Sequence, residues 1–460
     1  MASIVHRNNR FLVVHYEHDI SGKNKQKWET YRTLADAKRR KAEIEHRQEL
    51  GALDVPTCKT INDLLKEYIS LYGKATWSLS VFSSNSRLIR NYISPVIGKM
   101  DLCEISPRIL EKYYQKLLQT PAVSRITQKR GTKDTGLVQP ATVRKVHSLL
   151  RSAFNQAVKW ELMEKNPAIH ATVPKAVPQK REVWDAETIF LALDMCDDDR
   201  LKLAINLSFA CSMRIGEILG LTWDCVDFSP KSIADGTASI MIKKELQRVD
   251  KTAMKSLEQK DVLFIFPQSS KRNKTMLVLK KPKTESSIRK VFIPKTVARQ
   301  LEAWKREQER TKEALGDEYT DYNLVLAHGL GSPVEQSRIT AMFQALIKKN
   351  DLPKVVFHSL RHSSITYKLQ LTGGDIKSVQ GDSGHAQAQM VTDQYSHIMD
   401  ENRKNNAELF EQVFYRGKIP DAQEASPAVN PPSGIDPSLL KKISENPDLL
   451  KILSAIAGSL

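Results

Sequence analysis

The sequence predicts a multidomain, mainly α-helical protein with small β-sheets: an N-terminal α+β unit, a helical domain and a larger mixed α/β domain. Three observations lead there. At 460 residues the chain is too long for one ordinary core. Apolar residues recur at helical spacing from about 60 to 174. Short runs rich in β-formers and bounded by turn residues occur near the N-terminus and again between about 238 and 294.

Residues 1–56 supply the first unit. FLVVHYEH alternates like a half-buried strand, SGKNK signals a turn, KWETYRT reads as a second strand, and LADAKRRKAEIEHRQEL as a basic helix closed by Gly51. Such a sheet suits laying strands against a DNA groove. Val55-Pro56 breaks the pattern, and the helical domain is expected over 57–174. INDLLKEYISLYG, RILEKYYQKLLQ and ATVRKVHSLLRSAFNQAVKWELM all carry one apolar face, and a basic loop, SRITQKRGTKDTGLVQ, separates the last two. Its cations could follow a phosphate backbone. A Pro- and Lys-bearing linker at 175–182 leads to the third domain, 183–416. There the order is helices, then the strands of ASIMIKKEL, DVLFIFPQ and MLVLKKPKTESSIRKVFIP, then helices again. The segment QRVDKTAMKSLEQK reads as a polar insert between the first two strands. Residues 417–460 hold a low-complexity linker and two short amphipathic helices starting at Asp-Pro and Asn-Pro, suited to docking.

Composition narrows the function classes. The formal charge of +17 points to a polyanionic partner, of which nucleic acid is the commonest. Five cysteines form no CxxC pair and no close His/Cys cluster, so neither a zinc site nor a disulfide framework is expected. No apolar run approaches the ~18 residues of a membrane span. MASIVHRNNRFLVV lacks the layout of a secretory signal, which makes the cytoplasm the expected location and leaves the membrane out of the expected partners.

The chemistry-bearing residues of the third domain form an ordered set. In LSFACSMRIGEILGLTW, Arg214 opens a helix with Glu217 three residues on. Lys283 follows where one strand gives way to another, on an expected hairpin tip. In HSLRHSSITYKLQLTGG, His358 precedes a helix and Arg361 falls in its first turn, where backbone N–H groups and the dipole favour an anion. A zinc reading of His358 and His362 would need a glutamate base beside the first histidine, and Ser359 stands there instead, so no metal is expected. GDSGHAQAQMVTDQYSHI then presents His385 on a glycine turn and Tyr395 ten residues later. Tyr367 is the other tyrosine in reach, and its mid-helix position with apolar neighbours reads as core.

Here the chain resembles the tyrosine recombinases, the phage-integrase family that includes chromosome-dimer resolvases. SMRIGEILGLTW is similar to that family's first arginine box, PKTESSIRKVFIP to its β-hairpin lysine segment, and HSLRHSSIT with GHAQAQMVTDQYSHI to its second box and tyrosine nucleophile. The motif-bearing resemblance covers about 180–415 and extends more loosely over 1–174, laid out like an arm-site-binding unit followed by a core-binding domain. Three features depart from the pattern: Ser212 stands where Gly is usual, Ser383 where Leu is usual, and the insert before the lysine segment is long.

The resemblance implies a mixed α/β tyrosine-recombinase catalytic domain that cuts and rejoins DNA through a 3′-phosphotyrosine and a Holliday junction, with no cofactor. Tyr395 would be the nucleophile, a phenol of pKa near 10 that needs help losing its proton. Arg214 and Arg361 would hold the phosphoryl oxygens with planar forks. Lys283 would protonate the leaving 5′-oxygen, His358 would assist proton transfer and His385 would hydrogen-bond the phosphate. Glu217 and His362 would support this set from behind. The implied partners are double-stranded DNA at core and arm-type sites, three further copies of the chain in a homotetramer on DNA, and an accessory directionality or host DNA-bending factor. ENRKNNAELFEQVFY, with Leu409, Phe410, Val413 and Phe414 on one face, would dock on a neighbouring protomer or in its own core. Two alternatives stay open: a catalytically inactive DNA-binding regulator, and a type IB topoisomerase.

Overall fold

The computed structural model describes residues 2–7, 9–18, 24–49, 58–123, 136–175, 182–268, 270 and 272–384, all within one compact unit, Met1–Gln394. His385, Tyr395, the 401–415 segment and the 417–460 tail lie outside the described residues, as do most of the 124–139 loop and part of the linker. Among the described residues no helix is long and apolar enough to cross a membrane.

The chain opens with β1 (Ser3–Arg7), β2 (Arg10–His18) and β3 (Asn24–Tyr31) in one antiparallel sheet, order β1-β2-β3. The sequence reading identified the second and third strands and missed the first. Helix α1 (Leu34–Glu49) lays Ala37 and Ile44, two turns apart, against Val13 of the sheet. Glu29 gathers Arg40 and Lys59, the latter at 2.8 Å, and so ties this unit to the start of the helical region. Burial pushes the Glu29 carboxyl up, but those two cations more than reverse it and hold it well below the usual carboxylate range.

A reciprocal cap starts α2 (Ile61–Glu67): Asp63 N–H donates to the Thr60 hydroxyl, and Thr60 N–H donates to the Asp63 carboxylate. The helix runs through a π turn (Tyr68–Gly73) into α3 (Lys74–Thr76), and α4 (Leu79–Leu88) likewise ends in a π turn (Ile89–Ile93). Helices α5 (Pro107–Leu118) and α6 (Pro140–Lys159) both begin on proline, where the missing N–H costs nothing. Leu110, Tyr113, Tyr114 and Leu117 of α5 bury one continuous face against Val143, Leu150 and Phe154 of α6.

Helices α7 (Ala186–Asp194), α8 (Asp199–Phe209) and α9 (Ile215–Leu219) lead into the second β-rich region. It comprises β4 (Val226–Asp227), α10 (Pro230–Ala234), β5 (Ser239–Ile242), β6 (Glu245–Asp250), α11 (Lys251–Ser256), β7 (Val262–Ile265), β8 (Thr275–Lys280) and β9 (Arg289–Phe292). Helices α12 (Lys295–Leu315), α13 (Gln336–Lys349), α14 (Ser359–Leu371) and α15 (Ile376–Ser383) follow. Leu203 and Leu207 of α8 sit in one core with Val291, Leu301, Phe343 and Leu360, so β9, α12, α13 and α14 share its packing.

The strands fall into two sheets, β4-β5-β9 and β6-β8-β7. This corrects the hairpin expected around Lys283. β8 pairs with β6 and β7 while β9 pairs with β5, so Lys283 lies on an exposed bend that passes from one sheet to the other. The insert before it is also less polar in effect than in composition. Its first residues complete β6, and Ala253, Met254 and Leu257 bury, together with Val249 and Val278, in the same core as the helical region. Gln247 Nε2 reaches Ser80 Oγ at 2.7 Å, and Lys260 Nζ reaches the Ala75 carbonyl at 2.8 Å, across the same junction.

Gly220, at the end of α9, fixes how the first arginine segment meets β6. A Cβ there would stand 2.5 Å from Leu246 N and 2.7 Å from Glu245 C, both backbone atoms that cannot swing aside. Gly220→Ala is therefore expected to destabilise the fold by roughly 1–3 kcal/mol. A lowered midpoint of thermal unfolding would register it, and an unchanged midpoint would contradict the close approach.

Candidate active site

Arg214 occupies the N-cap of α9 in extended backbone geometry, so its side chain leaves the helix start sideways rather than along the helix wall. Glu217, one turn later, accepts from Arg214 twice, at 2.9 Å from the backbone N–H and at 2.8 Å from Nη1. The guanidinium keeps about a third of its surface open, with a side-chain exposure of 33%. Its Nη2 donates to the Gly384 carbonyl at 3.2 Å.

Arg361, in the first turn of α14, is only 1% exposed. One fork nitrogen donates to the Ser212 carbonyl and the other to the Ser383 carbonyl, which joins both boxes of the sequence motif. Ser212 has φ +51°, a left-handed conformation that favours glycine, which gives a physical reason for the glycine usual at that position. Its hydroxyl pairs with Ser364 Oγ at 2.6 Å in the buried interior. Serine is tolerated here because it gains a partner on α14.

A third arginine joins this cluster and was not singled out from the sequence. Arg289, on β9, donates to both oxygens of Glu217, at 3.2 and 3.0 Å, to the Asp382 carbonyl at 2.7 Å and to the Ser287 carbonyl at 3.1 Å. A signal was present: Arg289 falls in phase with Val291 and Ile293, and all three bury while Lys290 and Phe292 are exposed. A charge on the inward phase of a strand calls for a buried partner.

The last three described carbonyls, of Asp382, Ser383 and Gly384, thus accept from Arg289, Arg361 and Arg214 in turn. They close the C-terminal end of α15, where unpaired carbonyls carry the negative end of the helix dipole. Gly384 ends that helix at φ +62°, and a Cβ on it would lie 2.9 Å from Arg289 Nη1. Ser286 O stands 3.1 Å from the same point, so the bend carrying Lys283 runs alongside this turn.

Glu217 is buried, and burial alone would raise its carboxyl. The Arg289 fork, helped by Arg214, overrides that and holds it below the ordinary range, so Glu217 is charged at neutral pH. Two guanidinium groups, of Arg214 and Arg289, bond this one carboxylate, and a third, of buried Arg361, is tied to the same turn through the Ser383 carbonyl, so three arginines stand against one carboxylate, an excess of two positive charges. Arginine cannot shed its proton to escape that imbalance, so the cluster favours an anion.

The remaining predicted residues stand at the edges. His358 is the exposed N-cap of α14, and its ring meets that of buried His362 edge-on at 4.9 Å. Among the described residues no three His, Cys, Asp or Glu side chains cluster in a way that could hold a metal ion. Tyr367 departs from its reading as core: it is 38% exposed, with its ring resting on Phe209 at 5.7 Å. The stretch of α14 buried all round ends at Ile365, so Tyr367, although in helical phase with Leu360 and Ser364, lies beyond the part of the helix that the core encloses.

Residues 183–402 match the phage integrase family, and residues 60–118 match the phage integrase N-terminal SAM-like domain. A tyrosine recombinase XerC-like protein of Caldanaerobacter subterraneus subsp. tengcongensis is 26% identical over 366 residues, spanning 77% of this chain and 83% of its own length. The ICEBs1 integrase of Bacillus subtilis is 22% identical over 335 residues, spanning 72% and 78%. The fold is similar to that of a Tn1549 transposon integrase solved with transposon right end DNA, with a TM-score of 0.57 at 17% identity, over 77% of this chain and 99% of that one. Both arginine boxes, the helical region before them and these relatives agree: the chain belongs to the phage integrase family, the tyrosine-type site-specific recombinases.

Proposed function

We propose that the protein is the integrase of a mobile element, catalysing integration and excision by cutting and rejoining DNA through a 3′-phosphotyrosine. The excess positive charge of the arginine cluster, with the Arg214 fork left open, is the observation that carries this reading. In the proposed reaction the Tyr395 oxygen forms a bond to the scissile phosphorus, and the bond from phosphorus to the 5′-oxygen breaks. The phenol proton leaves with help from His358, and the departing 5′-oxygen takes a proton from Lys283. Charge that builds on the non-bridging oxygens meets the exposed Arg214 fork and the field of Arg361. These groups take the place that metal ions hold in many phosphoryl-transfer enzymes. His385, next in sequence after the turn held by the three arginines, would add a hydrogen bond to the same phosphate.

The phosphotyrosine conserves the energy of the broken bond, so a free 5′-hydroxyl from a second duplex can reverse the step and complete the exchange. Two duplexes present four scissile phosphates, hence four copies of the chain on DNA with a Holliday junction midway. Residues 1–56 would hold arm-type DNA, 57–174 would grip the core site, and 183–416 would perform the chemistry. The linker at 175–182 joins the last two, and 417–460 would contact a neighbouring copy or an accessory factor. Separate modules on separate sites gain from effective concentration. A protein acting on chromosomal DNA belongs in the cytoplasm, at the nucleoid.

The test is covalent capture. The chain is incubated with a nicked duplex library of randomised sequence, denatured, and searched for a protein–DNA adduct by electrophoresis and peptide mapping. An adduct whose nucleotide maps to Tyr395 is the expected result. An adduct mapped to Tyr367, or DNA binding without any adduct, would overturn the proposal in favour of another nucleophile or a regulator.

A further inference from the structure

We infer that Arg289 is a positioning residue, whose task is to neutralise Glu217 so that the charge of Arg214 is left for the scissile phosphate. The inference rests on the recombinase reading above and concerns how the first arginine is kept competent.

Glu217 serves Arg214 as an anchor: it fixes both the backbone N–H and Nη1 of that residue. A carboxylate in that position carries a penalty. An ion pair of one arginine and one glutamate has no net charge, and a phosphate approaching it would be repelled by Glu217 nearly as much as it is drawn by Arg214. Arg289 removes the penalty. It covers both carboxylate oxygens, at 3.2 and 3.0 Å, while burying its own fork. Glu217 then holds Arg214 in place without cancelling it.

The anchoring of Arg289 itself fits that task. Its Nε donates to the Asp382 carbonyl and its Nη1 also donates to the Ser287 carbonyl, so the fork cannot rotate away from Glu217. Gly384 packs directly on it, since any Cβ there would press on Nη1 and Cδ. Every donor of the Arg289 fork with a described partner points at protein, none at open solvent. By this geometry Arg289 touches no substrate, and it acts through Glu217.

The proposal separates charge from shape, and so does its test. Adduct formation is followed on a nicked duplex recovered by covalent capture with the unaltered chain, at saturating protein, beside binding affinity for the same DNA and thermal unfolding. Arg289→Gln is expected to slow adduct formation about 100-fold with affinity changed less than about threefold. Arg289→Lys, which keeps the charge and loses the fork, is expected to lose only about 10-fold. Adding Glu217→Gln to Arg289→Gln removes the unbalanced carboxylate, and is expected to recover at least about 10-fold of the loss. A residue that served shape alone would give a double variant no faster than the single one.

Arg289→Gln within about twofold of the unaltered chain overturns the proposal, and so does a folded double variant without recovery. If Arg289→Gln alone fails to fold, the double variant decides: adduct formation within about 10-fold of the unaltered chain supports the proposal, and slower formation overturns it. Failure of the recombinase reading would look different, because the unaltered chain would then form no Tyr395 adduct at all.

Discussion

Tyr395→Phe is expected to abolish adduct formation, by at least about 10⁴-fold, while leaving DNA affinity within a few-fold of the unaltered chain. The size follows from the role. A nucleophile's oxygen has no substitute when the alternative is water, which competes poorly for a phosphodiester without activation. Affinity should persist because the charge responsible for it is spread over a chain of net +17, most of it far from one phenol. The control is Tyr367→Phe. That ring lies against Phe209 on the exposed side of α14, while the arginine forks converge on the far end of α15. Tyr367→Phe should cleave within about twofold of the unaltered chain. Loss of the adduct in that variant and its persistence in Tyr395→Phe would reverse the assignment.

Arg214 and Glu217 were legible as charges set among apolar residues, which must be paired or functional, and Arg361 as a cation in the first turn of a helix, where the N-terminal N–H groups already favour an anion. Their convergence was legible only as a family resemblance, since Arg214 and Arg361 come together through the carbonyls of Ser212 and Ser383, and a backbone carbonyl leaves no mark in a sequence. Strand pairing was illegible for a related reason. Alternation announces β8 and β9, but it does not say that β6 and β7 take β8 away into another sheet, so Lys283 was placed on a hairpin that does not form. In the insert, Ala253, Met254 and Leu257 are spaced for one helical face, yet the surrounding lysines, with Asp250 and Glu258, masked it. Arg289 is the instructive omission. It was read as part of a lysine segment, although its strand phase already set it beside Val291 on the inward face.

Arg361→Ala is expected to damage chemistry and fold together, and Arg214→Ala chemistry alone. Arg361 is sealed from solvent and holds two backbone carbonyls that lie 171 residues apart in sequence, Ser212 and Ser383. Truncation would take the Arg361 donors from both and open a cavity beside the Ser212–Ser364 pair, at a cost of roughly 2–4 kcal/mol. It would also remove half the positive excess of the pocket, slowing adduct formation by about 10³-fold. Arg214→Ala removes a comparable charge from the phosphate, so a similar loss of rate is expected. Its cost in stability should stay within about 1 kcal/mol, because Glu217 keeps the Arg289 fork and remains a compensated buried anion. Thermal unfolding and single-turnover cleavage, measured on both variants, check the difference. Equal loss of stability would mean that Arg361 does not staple the two boxes. A rate retained in either variant would mean that its guanidinium does not stabilise the transition state, and the excess charge of the pocket would then need another purpose.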